Sequence, residues 1–135
     1  MTVPPTRVSI LRQGRYLIAS VHTALDDSQL LKFQHDLVEQ IGRYRSRAVV
    51  IDVAALDVLD SFGSKALLNL AEMARLRGAL AVIVGIQPDV ALAMVTLGMN
   101  TGPVRVSLDL EEALEYLDDL TGNGPALRRQ SSGTR

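Results

Sequence analysis

Val49–Leu70, VVIDVAALDVLDSFGSKALLNL, carries two periodicities in one stretch. Val49-Val50-Ile51-Asp52-Val53 is a short, nearly continuous β-branched run, the pattern of a strand covered on both faces. Ala66, Leu67, Leu70, Ala71 and Ala74 then recur at helical spacing. Between them lie Asp57, Asp60 and Ser61-Phe62-Gly63-Ser64. The stretch therefore places a serine, preceded by an aspartate, where a buried strand passes into a helix. The first turn of a helix has unpaired N–H groups and partial positive charge, so Asp60 or Ser61 can cap it, and a phosphate there finds donors.

Working outward, the same grammar repeats. Val8 to Leu11 and Tyr16 to Val21 read as two strands of a hairpin around Gln13-Gly14. Asp26 or Asp27 caps a helix with Leu30, Phe33, Leu37, Val38 and Ile41 on one face, which Gly42 is expected to end. Arg75, Arg77 and Gly78 mark the end of the central helix. Ala79 to Val84 is another buried strand, and Gly85 to Pro88 is a tight crossover with Pro88 suited to a first helical turn. Val90, Ala91, Met94, Val95 and Leu97 continue that helix. Val104 to Ser107 reads as a last strand. Ser107 or Asp109 caps a final helix carrying Leu110, Ala113, Leu114 and Leu117.

The order predicts an α/β fold with a mixed, mostly parallel sheet of about five strands and four main helices. Residues 1–7 are expected to be a flexible lead-in, 8–120 one domain, and 121–135, rich in Gly, Ser and Arg, a disordered tail. In such sheets, sites gather at the C-terminal strand ends. That edge carries both the Asp57–Ser61 loop and the Gly85–Pro88 loop.

Composition narrows the chemistry. The 135 residues are 47% apolar and 21% charged, and the net charge of −1 gives no electrostatic case for nucleic acid or anionic membrane. The absence of cysteine removes disulfides and thiolate chemistry. No apolar run is long enough to span a bilayer, and no signal peptide is apparent, so a cytoplasmic location is expected. His22 and His35 are the two histidines, and no G-x-S-x-G, P-loop or dinucleotide fingerprint occurs. The expectation is a protein that is not an enzyme and needs no metal or cofactor.

Asp60-Ser61-Phe62-Gly63 resembles the Asp-Ser-Ser/Thr-Gly motif of the STAS domain family of anti-sigma-factor antagonists, in which the serine is phosphorylated by a partner kinase. Gly85-Ile86-Gln87-Pro88 resembles a second signature of the stressosome branch, especially of RsbS-like members. Leu25-Asp26-Asp27, Phe33-Gln34 and Asp36-Leu37 resemble the opening of that branch. The resemblance implies a phosphorylation site at Ser61, with Asp57, Asp60, Phe62, Gly63, Gly85, Ile86, Gln87 and Pro88 around it as a partner-binding surface. It further implies an RsbT-like serine kinase, RsbR-like STAS paralogues and an RsbX-like phosphatase as partners in a homo- or hetero-oligomer. The second phosphorylated position of the family, a threonine just before the Gly-Ile-Gln-Pro signature, is Val84 here. Two further readings stand beside this one: a receiver-like domain phosphorylated on Asp52 or Asp57, and a STAS domain that binds a small ligand.

Overall fold

The computed structural model describes residues 7–56, 61–98, 102 and 104–122, with the side chains of Ser61 and Phe62 left out. The chain runs β1 (Val8–Gln13), β2 (Tyr16–Val21), α1 (Asp27–Tyr44), β3 (Ala48–Asp52), α2 (Ser61–Leu76), β4 (Leu80–Val84), α3 (Pro88–Thr96), β5 (Arg105–Ser107) and α4 (Leu110–Thr121).

The five strands lie in sequence order, β1-β2-β3-β4-β5. β1 is antiparallel to β2, and every later neighbour is parallel. Antiparallel pairing follows from the short turn at Gly14, whose φ of +60° suits a residue without Cβ. Parallel pairing follows from the helical crossovers. This order separates the fold from a receiver domain, whose flavodoxin-like sheet runs 2-1-3-4-5. The receiver reading is therefore corrected by topology.

Alternation along the strands divides the core in two. Leu17, Ala19, Val49, Ile51 and Ile83 face α1 and α2, meeting Phe33, Leu37, Ile41, Leu67 and Leu70. Tyr16, Ile18, Val50, Val82 and Val84 face the other way and meet Ala113 and Leu117 of α4. Both faces are covered, which is why the central strands read as unbroken apolar runs. On the α4 side the Tyr16 hydroxyl donates to Asp118 at 2.7 Å, tying the helix to β2. Burial, the largest influence, pushes the Tyr16 hydroxyl above its ordinary pKa.

Several boundaries differ from the sequence reading. α1 continues through Gly42 to Tyr44, and Arg45, at φ 51°, forms its left-handed C-cap. Gly42 serves close approach: a Cβ there would collide with the Arg77 guanidinium that lies across the helix. Asp26 is the α1 cap, with a reciprocal capping box to Gln29, and Asp109 rather than Ser107 caps α4. In α3 only Val90 and Met94 are buried, while Val95 and Leu97 stand exposed. Residues 123–135 lie outside the described residues.

Candidate functional site

β3 ends at Asp52, and its carboxylate turns back to accept the N–H of Ala54 at 2.9 Å. This Asx turn redirects the chain without a glycine. The Val53 N–H donates to the Val84 carbonyl at 3.0 Å, carrying the β3–β4 ladder one residue further. The Leu56 N–H donates to Val53 at 3.0 Å, and both side chains are buried. The start of the loop is thus fixed to the core on both sides of Ala54. Asp52 thus serves as the turn-former at the end of β3.

The crossover after β4 closes on the same residue. Gly85 adopts φ +81°, a conformation glycine reaches without strain. A Cβ on Gly85 would sit 2.7 Å from the Ala54 Cβ and 3.0 Å from its Cα and N. Gln87 occupies the N-cap position of α3 yet makes no capping bond there. Its side-chain amide instead donates to the Ala54 carbonyl at 2.6 Å. Ile86 packs against the α1–α2 core, and Pro88 opens α3, where a missing N–H costs nothing. The Gly85–Pro88 segment therefore clamps the loop that leads toward Ser61.

Ser61 is the first residue of α2. No acidic residue occupies the first turn of that helix, so its positive end is uncompensated from within. Gly63 is buried. Ser64 is 1% exposed, and its hydroxyl has no hydrogen-bond partner among the described residues. One turn further, buried Gln34 of α1 donates its side-chain amide to the Ala66 carbonyl at 3.1 Å. Phe33, beside it, is in the core. Gln34 thus ties α1 to the first turns of α2, while Gly85 and Gln87 fix Ala54 where the chain leaves β3.

Asp57 and Asp60 lie outside the described residues, as do the side chains of Ser61 and Phe62. The structure brings Gly85 and Gln87 against Ala54, before the loop that precedes α2, and Gln34 against Ala66, in the second turn of α2. The sequence reading missed two features. Lys65, exposed on α2, is four residues after Ser61 and shares its helical face; the i,i+4 spacing was the available signal. The second is a groove of about 180 Å³ between α1 and α2, lined by Leu30, Leu31, Gln34, Lys65, Ala66 and Asn69. At the same end of the sheet, the N–H of Gln29 and then the Ser28 hydroxyl hold the Asp26 carboxyl below its ordinary pKa. Among the described residues no His, Cys, Asp or Glu cluster is arranged to hold a metal, and no helix is long and apolar enough to cross a membrane.

Residues 7–113 match the STAS domain family. A serine-to-glutamate variant of RsbS from Moorella thermoacetica superposes with a TM-score of 0.75 at 30% identity, over 87% of this chain and 99% of that one. A chain of the stressosome, described as a signal integration and transduction hub, superposes at 0.70 with 26% identity, over 84% and 98%. The RsbT co-antagonist protein RsbRA of Bacillus subtilis is 25% identical over 97 residues, which are 72% of this chain and 35% of RsbRA. The chain thus spans about a third of that curated relative. It belongs to the STAS domain family. Its likeness within that family runs to RsbS and the stressosome proteins.

Proposed function

We propose that this protein is an RsbS-like, non-enzymatic switch that holds an RsbT-like serine kinase and releases it when Ser61 is phosphorylated. The carrying observation is the likeness to RsbS over 87% of the chain, with Ser61 as the first residue of α2, the helix that follows β3 at the sheet edge where the Gly85–Pro88 crossover meets Ala54. A serine at the first position of a helix stands beside unpaired N–H groups, where a phosphate finds donors.

Phosphate adds about −1.5 to −2 charges at pH 7. The N–H groups of the first turn of α2 and the ammonium of Lys65 one turn away favour that charge locally, while Asp60, just before Ser61 in sequence, opposes it. The fold accommodates the modification, and the change falls on the potential of the docking surface. A kinase seated against Ser61 in its neutral form is then expelled, and an RsbX-like phosphatase restores the first state. RsbR-like paralogues complete the assembly in this reading. Location in the cytoplasm follows from such partners. Val84, buried in β4, replaces the second phosphorylated position, so control rests on Ser61 alone.

The test compares Ser61→Ala and Ser61→Asp in a titration against the RsbT-type kinase. Ser61→Ala should bind as the parent does, and Ser61→Asp at least about tenfold more weakly, or about 1.4 kcal/mol. Matched thermal unfolding of the two variants separates a binding effect from misfolding. Equal affinities would overturn the proposal.

A further inference from the structure

β1 is an edge of the sheet, and its α1 side is only partly covered. Val8 and Ile10 pair with Val21 and Ala19, which belong to the core beneath α1 and α2, so their side chains point to that face. Both remain half-buried. Between them and α1 lies a cleft of about 380 Å³. Val8, Ile10, Leu25 and Phe33 form its floor, and Phe33 is part of the core. Arg7, Gln29, Lys32, Asp36 and Gln40 form its rim. An apolar concavity within about 300–1,000 Å³, edged by a few convergent polar groups, is the form of a small-molecule site. It is separate from the α1–α2 groove beside Lys65, with which it shares no lining residue.

The rim decides the chemistry of the guest. Lys32 and Asp36 neutralise each other across 2.9 Å. The side-chain carbonyl of Gln29 accepts the Asp26 N–H at 2.9 Å, which leaves its amide N–H groups for a guest. Arg7 is exposed and forms no salt bridge among the described residues. Asp26 feels the Arg7 charge, but that carboxylate is already taken by the Gln29 N–H and the Ser28 hydroxyl. The Arg7 carbonyl accepts the His22 N–H at 2.7 Å, which fixes the point where the arginine side chain leaves the sheet. The rim thus sets two cations against one carboxylate and presents mostly donors.

We infer that this cleft binds a small amphipathic anion, a carboxylate with a single-chain apolar body, its head at Arg7 and its body on Val8, Ile10, Leu25 and Phe33. Charge complementarity selects the head, and the apolar floor selects the body. At about 30 Å³ per non-hydrogen atom, a water's share of liquid volume, the cleft holds roughly a dozen such atoms, the size of a ten-carbon fatty acid. The inference does not depend on Ser61 being phosphorylated.

Sodium decanoate titrated into the isotope-labelled full chain at neutral pH, with amide shifts followed by NMR, tests it. Saturable shifts are expected at Val8, Ile10, Leu25 and Phe33, with a Kd of about 1 mM or tighter. Decyltrimethylammonium, the same chain with a cationic head, should bind at least about tenfold more weakly. Arg7→Glu should weaken decanoate at least about tenfold and abolish that preference. Leu25→Ser should weaken both probes. Amide spectra without probe confirm that the variants are folded. No saturable shift by about 5 mM decanoate would overturn the inference. So would equal binding of the two heads by the parent, or an affinity untouched by Arg7→Glu. Shifts centred instead on exposed Leu92 and Val95 of α3 would show mere adsorption and overturn it too. Decanoate that binds only a chain lacking residues 1–6 would assign the cleft to that segment, and cleft shifts produced by diluting the protein alone would assign it to a second copy; either result refutes the small-molecule site.

Discussion

Replacing Gly85 by alanine tests whether the crossover really clamps the loop before Ser61. Two costs add. The φ of +81° penalises any residue with a Cβ by roughly 1–2 kcal/mol. The new methyl would lie 2.7 Å from the Ala54 Cβ and 3.0 Å from its Cα and N, so backbone has to move, for roughly 1–2 kcal/mol more. Together these are about 2–4 kcal/mol of a total stability of about 5–15 kcal/mol. Gly78 supplies the control, because its φ is +88° and nothing lies within 4 Å of its Cβ position. Gly78→Ala should therefore show only the backbone cost. Urea unfolding of both variants reads the difference, which should be about 1–2 kcal/mol larger for Gly85→Ala. The same variant should phosphorylate more slowly at Ser61 while remaining folded. Equal destabilisation by the two substitutions, within about 0.5 kcal/mol, would refute the interlock with Ala54.

Other outcomes follow from the same structure. Gly42→Ala should stabilise by about 0.5–1 kcal/mol in a denaturant titration, because Gly42 is inside α1 and only the far end of the Arg77 side chain must give way; a loss would show that Arg77 is fixed over α1 and that Gly42 is needed for its close approach. Arg45→Gly should likewise raise stability, by about 1 kcal/mol, through relief of the left-handed cap. Tyr16→Phe removes the bond to Asp118 and should cost about 1 kcal/mol, measured by thermal unfolding. Asp26→Ala should lower the melting temperature at neutral pH. The Asp26 carboxyl has a depressed folded pKa, so its contribution is present above the ordinary value of 3.8 and disappears as pH falls through the lower folded value. Melts of both proteins across that range should therefore converge in acid.

The fold was largely legible because its signals are local. Val49–Val53 and Ala79–Val84 read as buried strands, as Val49–Ile51 and Val82–Val84 are, although Leu80 stands exposed, and Asp26 and Pro88 announced the helix starts they occupy. What was not legible depends on neighbours distant in sequence. Gly42 looks like a terminator until Arg77 is seen lying over it, and α3 looks evenly apolar until only Val90 and Met94 prove buried. At the site, Gly85–Pro88 was readable as a tight crossover with Pro88 opening a helix. Its tie to Ala54 was not, because Gln87 and Ala54 are 33 residues apart and meet only through the β3–β4 pairing. Gln34 shows the same limit: an apparently polar helix position turns out to be a buried tie to Ala66.

The central claim is that Ser61 receives the phosphate. Intact-protein and peptide mass spectrometry after incubation with an RsbT-type kinase and ATP, with Ser61→Ala in parallel, tests it most directly. The account predicts one added phosphate that maps to Ser61 and is missing from the variant. No phosphate on the parent, one that persists in Ser61→Ala, or a hydroxylamine-labile phosphate on an aspartate would contradict it.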